Sequence, residues 1–284
     1  MKRMKEATLE DIKTLYEKYS GVSENEKGNI HLIIPPKTGS TQCRAMFKKA
    51  AKAEKKINVY WGNTKAPKAP NSGGHGAHTG YGYWNKISPS ELKKPALRIG
   101  LVRNPWDWLV SFNRRFSTGY PKFTDFLHWW GLIKNPSRSR HRTRASPRPS
   151  SHSRRQSKIV RYTHSPMCQL FYDDATVGPH LIISTESVNE GCQMIFDALN
   201  INVKAEGHIN QFRHSKKKKK IDFYTSKEIE LVRERLSVLV DFFKYYDGPD
   251  TGWNYETPVL INDNSHMDYL PIREETPDCW KKLS

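Results

Sequence analysis

The stretch Ile30–Thr41, IHLIIPPKTGST, decides the fold. Its first half, Ile30 to Ile34, is a short apolar run. The polar turn Ser23–Asn29 bounds it upstream and Pro35-Pro36 bounds it downstream, which is the pattern of a buried strand. Its second half passes through Lys37, Thr38, Gly39, Ser40 and Thr41 into residues 42–56, QCRAMFKKAAKAEKK, which are helix formers. Such a strand–loop–helix leaves backbone N–H groups unpaired at the positive end of a helix dipole, so it stabilises an anion. Gly39 lets the backbone approach that anion closely, Ser40 and Thr41 add hydroxyl donors, and Lys37 adds a mobile cation. The lysine precedes the glycine, so this is not the G-x-x-x-x-G-K-[ST] phosphate loop. The plainer reading of the same residues is an ordinary strand-to-helix turn with a surface lysine.

Working outward, Ile57–Trp61 reads as a second strand, Leu97–Val102 (LRIGLV) as a third and His180–Ser184 (HLIIS) as a fourth. Three capping boxes mark helix starts: Thr8 to Asp11, Ser187 to Glu190 and Thr225 to Glu228. The first opens a helix carrying Leu9, Ile12, Leu15, Tyr16 and Tyr19. The third opens a long amphipathic helix carrying Ile229, Val232, Leu236, Leu239, Phe242 and Phe243. Strands alternating with helices predict an α/β fold, a three-layer α/β/α arrangement around a central parallel sheet. The expected division is an N-terminal helix over 1–27, a main domain over 28–250 and a C-terminal extension over 251–284.

A second anion-binding pattern follows the third strand, in Arg103-Asn104-Pro105-Trp106-Asp107-Trp108-Leu109-Val110-Ser111. Asn104 fits an N-cap and Pro105 the first helical position, so a helix is predicted over 105–116. Ser111 lies seven residues past that cap, about 700° at ~100° per residue, and returns to the azimuth of Asn104. Arg103 and Ser111 can therefore converge on one anion. The plainer reading is a surface ion pair for Arg103 and a solvated position for Ser111. Both patterns fall at the carboxyl ends of predicted parallel strands, where α/β sheets place ligands. Two anion sites fed by one sheet match a nucleotide phosphorylated at its 5′ and 3′ ends.

Composition bounds the alternatives. The chain has 284 residues with 36% hydrophobic and 11% aromatic content, including 8 Trp, which argues against whole-chain disorder. No stretch approaches the ~18 uncharged apolar residues of a spanning helix, so no integral membrane segment is expected. The N-terminus MKRMKEATLEDIKTLYEKYS has no apolar core of a signal peptide, and a cytoplasmic location follows as an expectation. Cys43, Cys168, Cys192 and Cys279 are far apart in sequence with no C-x-x-C pair, which argues against a zinc ribbon and a disulfide framework. Net charge is +18, from 47 Lys and Arg against 29 Asp and Glu. Eight cations in 138–158 and five lysines in 216–220 account for thirteen of these, leaving +5 for the remainder. The basicity is local. It allows an anionic polymer as partner without identifying one, and the plainer reading of Lys216–Lys220 is a solvated segment. Residues 131–160 form a Ser/Arg/Pro-rich insertion whose composition breaks with both flanks; disorder or a frame-shifted stretch is expected there.

With both anion motifs in hand, the chain resembles the sulfotransferases that use 3′-phosphoadenosine 5′-phosphosulfate (PAPS). Pro36-Lys37-Thr38-Gly39-Ser40-Thr41 looks like their 5′-phosphosulfate loop, and VRNPWDWLVSF (102–112) looks like their 3′-phosphate motif, with the same Arg-to-Ser spacing of eight. Gly207-His208-Ile209-Asn210, then Asp222-Phe223-Tyr224-Thr225 and a helix, is similar to the C-terminal part of the carbohydrate-type branch. The resemblance spans about 28–247, interrupted at about 131–160. It implies a P-loop-like fold and transfer of a sulfuryl group from PAPS to an acceptor hydroxyl, on a glycan or a small alcohol, with no metal required. It implies that Lys37 stabilises charge on the leaving phosphate, and that Lys37, Thr38, Gly39, Ser40 and Thr41 hold the 5′-phosphate. Arg103 and Ser111 would hold the 3′-phosphate. One departure is Trp108, where many relatives carry a second arginine.

Sulfuryl transfer to a hydroxyl calls for a general base, usually His or Glu in this family. His78 is the first candidate and His75 the second, both in the loop between the two motifs; Glu54 and Glu91 are weaker alternatives. His208 and Asn210 would cover the nucleotide or line the acceptor cleft. Trp61, Tyr81, Tyr83, Trp84, Trp129 and Trp130 offer stacking faces for sugar or adenine, although aromatics at this density are more often core. A competing class is a basic nucleic-acid-binding protein resting on 138–158 and 216–220, and a third is a nucleotide-binding relative without catalysis.

Overall fold

A computed structural model describes residues 4–22, 27–34, 37–61, 95–116, 123–129, 179–207, 219–236, 240–241 and 243–262. The four apolar runs form strands β2 (Gly28–Ile33), β3 (Ile57–Trp61), β4 (Leu97–Val102) and β5 (Leu181–Ser184), all parallel to their neighbours in that group. Two short strands join them, β1 (Lys5–Glu6) before and β6 (Val259–Ile261) after. The sheet runs β1-β6-β5-β4-β2-β3. It is therefore mixed rather than parallel throughout: β6 lies antiparallel to β5, and β1 antiparallel to β6. The reason is chain direction, since β6 enters from the C-terminal segment after Pro258 and pairs Val259–Ile261 head-to-tail with Leu181–Ile183. Segments on both sides of 28–250 thus contribute strands to one sheet.

Alternation along the strands sends side chains to two cores. Ile30, Leu32, Ile34, Leu97, Ile99, Leu101, Leu181, Ile183 and Val259 pack with helices α1 (Leu9–Tyr19), α2 (Ser40–Glu54) and α5 (Val188–Ala198). Ile33, Val102, Ile182 and Leu260 pack with α3 (Pro105–Phe116), α4 (Phe123–Trp129) and α6 (Ser226–Arg235). Helices therefore cover both faces; β4 and β5 are buried along nearly their whole length and read as apolar runs, whereas β3, at the edge of the parallel group, leaves Tyr60 exposed.

Two of the three expected capping boxes close. Thr8 Oγ1 accepts from Asp11 N at 3.1 Å while Asp11 Oδ2 accepts from Thr8 N at 3.0 Å, and Thr225 and Glu228 do the same at the start of α6. Ser187 caps α5 by position but makes no side-chain capping bond: its ψ of 35° departs from the extended backbone that turns a capping hydroxyl toward the first turn. The helix expected to run on to Phe243 is capped at Leu236, but Val240 and Asp241 are again helical, with Val240 N bonded to Leu236 O at 3.0 Å; Val240 and Phe243 are buried, and Lys244 at φ 47° turns the chain away.

The element order places the site. β2 is central among the parallel strands, with β3 on one side and β4 on the other. The winding direction reverses between β2 and β4, and the crevice outside their carboxyl ends is where open α/β sheets take ligands.

Candidate functional site

Three strand ends meet at this crevice. From β2 come Lys37 to Thr41. Gly39 is the N-cap of α2 at φ 67°, ψ 13°, and, as a glycine, brings no side chain of its own to cap that helix. The backbone bonds from Gln42 N and Cys43 N both go to Gly39 O, at 3.0 and 3.1 Å. Lys37 also sits in the left-handed region, at φ 69°, which for a lysine costs of order 1–3 kcal/mol and persists only where the surroundings hold it. Thr38 is fully buried, Ser40 is buried, and Lys37, Gly39 and Thr41 are half-buried. Gly39 is required twice over. Its φ favours glycine, and a Cβ there would stand 3.2 Å from Thr185 Cγ2, beyond the end of β5.

From β4 come Arg103 and Asn104. Arg103 Nη1 donates to Lys37 O at 2.8 Å, so the guanidinium braces the strained loop directly. The two motifs, 66 residues apart in sequence, touch. Asn104 is the N-cap expected of it: Oδ1 accepts from Asp107 N at 3.1 Å and its carbonyl starts the helix with Trp108 N at 2.9 Å. Asn104 is also a hub. Fully buried, it donates from Nδ2 to Gly248 O at 2.9 Å, to Thr251 O at 3.0 Å and to Thr251 Oγ1 at 2.9 Å, tying the head of α3 to the C-terminal segment. Ser111 lies partly exposed between buried Val110 and Phe112, on the second turn of α3. Trp108, at the position of the departure, is core: 2% exposed, tilted against Phe112 at 5.0 Å.

From β5 come Ser184, Thr185 and Glu186. Thr185 bonds Val102 O through both N and Oγ1, each at 2.8 Å, locking the β5 end to β4. Glu186 is exposed as a residue, yet its carboxylate turns inward. Oε1 accepts from Asn104 N at 3.0 Å, Oε2 accepts from Ser184 Oγ and, at 3.4 Å, from Tyr245 OH. Enclosure of the carboxyl by protein raises its pKa; the Ser184 and Asn104 bonds and the nearby Arg103 charge oppose that rise. Tyr245 is pushed well above the usual phenol range by burial and by Glu186, so it keeps its proton. Sequence reading missed Glu186 and Tyr245. The same rule that flagged Arg103, a polar residue just past the carboxyl end of a parallel strand, applies to Ser184-Thr185-Glu186.

The lysine run is partly anchored. Lys220 bridges Asp107 and Asp250, the latter at 3.0 Å, and Asp250 N donates to Asp107 Oδ1 at 2.9 Å. Asp107 is almost wholly buried, so its charge needs this partner. At this residue the solvated reading gives way to a structural one. Glu54 is removed from the candidate bases: it accepts from Asn202 N at 3.1 Å and pairs with Lys56 at the far end of α2, ~20 Å along the helix from Lys37. His75, His78, Glu91, His208 and Asn210 lie outside the described residues, as do Tyr81, Tyr83, Trp84 and Trp130. Trp61 is half-buried and packs against the α1–α2–α5 core. Among the described residues no cluster of His, Cys, Asp and Glu is arranged to hold a metal ion, and no helix is long and apolar enough to cross a membrane.

No protein-family model matches the chain, and no curated protein or solved structure matches it either.

Proposed function

We propose that the crevice binds a nucleotide phosphorylated at both its 5′ and 3′ ends, and that the chain is a PAPS-dependent sulfotransferase acting on a hydroxyl, on a carbohydrate first of all. The fold in this reading is P-loop-like, and the location cytoplasmic. The observation that carries it is the contact of Arg103 Nη1 with Lys37 O, which joins the two anion motifs at the reversal point of the sheet.

The described residues fit the nucleotide in three respects. A helix N-terminus with glycine as its cap residue offers backbone donors to the 5′-phosphate. Lys37, on the strained turn beside it, is the cation for charge developing on the leaving phosphate. Arg103 and the open side of α3 at Ser111 receive the 3′-phosphate. When bound, PAPS supplies the activated sulfuryl group, and the acceptor oxygen displaces adenosine 3′,5′-bisphosphate. His78, then His75, remains the proposed base that takes the acceptor's proton, with His208 and Asn210 toward the nucleotide or acceptor.

The test is sulfuryl transfer from radiolabelled PAPS across a glycan and small-alcohol panel. Lys37→Ala, Arg103→Ala and His78→Ala should each abolish turnover, with adenosine 3′,5′-bisphosphate affinity falling for the first two and holding for the third. Wild-type rates in Lys37→Ala would overturn the assignment.

A further inference from the structure

Glu186 carries an inference that rests on the nucleotide reading and goes past it. The carboxylate stands where the ends of β4 and β5 meet. It accepts from the backbone of Asn104, the residue after Arg103, at 3.0 Å, and from Ser184 Oγ on its own turn. The C-terminal segment contributes Tyr245 OH at 3.4 Å, a phenol that stays protonated. Among the described residues the cation acting on it is Arg103, whose guanidinium also holds Lys37 O. Glu186 is thus bonded to the backbone of the Arg103 corner and lies within the field of its charge, with no part assigned to it in sulfuryl transfer.

We propose that Glu186 is a positioning residue for the Arg103 corner, and that it takes up a proton when an anion occupies that corner. In the free protein the guanidinium charge favours the carboxylate, and enclosure by protein opposes it. A phosphate arriving at Arg103 offsets the guanidinium charge and adds negative charge of its own. The balance then moves toward the carboxylic acid, and one proton enters from solvent. Protonated Glu186 keeps an oxygen to accept from Asn104 N, and its single O–H is donated to the nearer hydroxyl, Ser184 Oγ, so the corner holds its shape. By linkage, a group whose pKa rises on binding makes binding weaker as pH rises through the window between its free and bound values.

The experiment is calorimetric titration of the full chain with adenosine 3′,5′-bisphosphate from pH 5 to pH 8, in buffers of different ionisation enthalpy. Wild type is compared with Glu186→Gln, which keeps the shape and loses the titration. The ligand's own phosphates titrate identically in both, so the ratio of the two Kd values isolates Glu186. That ratio should change by about tenfold across the range, one unit of pKa rise corresponding to a factor of ten, and wild type should take up more protons than the variant. Ser184→Ala is the second variant. It removes a hydroxyl that favours the charged form while leaving the carboxylate, and should move the midpoint of the pH dependence upward. A flat Kd ratio with equal proton counts, or an unmoved midpoint in Ser184→Ala, overturns the coupling and leaves the nucleotide reading standing. Absence of binding by wild type removes the nucleotide reading, and with it the anion that the coupling requires.

Discussion

Replacing Gly39 with alanine perturbs the site at its tightest point. At φ 67° a Cβ meets the backbone itself, a cost of about 1–2 kcal/mol. The new methyl would also lie 3.2 Å from Thr185 Cγ2, closer than an ordinary carbon contact. Thr185 cannot swing aside freely, because its Oγ1 donates to Val102 O at 2.8 Å; giving up that bond costs about 1 kcal/mol. Alanine also restricts the unfolded chain, which returns about 0.4–1 kcal/mol. The net loss is about 1–2.5 kcal/mol, a fall in Tm of roughly 2–10 °C for a chain of this size. Gly252→Ala is the control, since nothing lies within 4 Å of its added Cβ and its φ is ordinary; it should stay within about 0.5 kcal/mol of wild type. Urea unfolding followed by circular dichroism reads both. Equal stability of Gly39→Ala and Gly252→Ala would refute the left-handed cap and the shared β2–β5 corner built on it.

Other outcomes follow from packing and charge. Gly191→Ala would place a Cβ 2.5 Å from Ile183 Cγ2 and 3.2 Å from Pro258 O, so α5 must lift from the sheet at a cost of about 1–3 kcal/mol; an unchanged Tm would contradict that packing. Lys220→Met would leave buried Asp107 without its cation and lose about 1–3 kcal/mol, whereas exposed Lys219→Met should be neutral; equal effects would remove the structural role of Lys220. His31 and His180 flank Arg98, and burial together with the Arg98 charge pushes them down to about 4 and about 3. Between pH 6.5 and 5 the unfolded chain binds protons that the folded chain refuses. Stability should therefore fall with pH by up to about 1.4 kcal/mol per unit for each histidine, and a His31→Gln, His180→Gln variant should lose that slope. Urea midpoints that hold steady over this range in wild type would contradict it.

How much of this was legible depended on sequence distance. The inner parallel strands showed as apolar runs because both sheet faces are covered there, and the Thr8, Thr225 and Asn104 caps showed because their partners lie three residues away. The antiparallel edge did not show: β1 has two residues and β6 three, too short for any period to register. Nor did the hub at Asn104, whose Nδ2 partners lie 144 and 147 residues downstream. At the site, Lys37–Thr41 and Arg103 were readable as local patterns, but their mutual contact is a product of strand order. Glu186 was hidden for a different reason. The local capping pattern falls on Ser187, one position later, while it is the glutamate that reaches back across to β4.

The most direct measurement of the central claim is isothermal titration of the purified wild-type chain and Arg103→Ala with adenosine 3′,5′-bisphosphate at neutral pH. Wild type should bind at one site. Arg103→Ala should bind at least about thirtyfold more weakly, the loss of a charge-assisted hydrogen bond of ~2 kcal/mol or more. No heat with folded wild type, or equal affinity in the two proteins, would contradict the account.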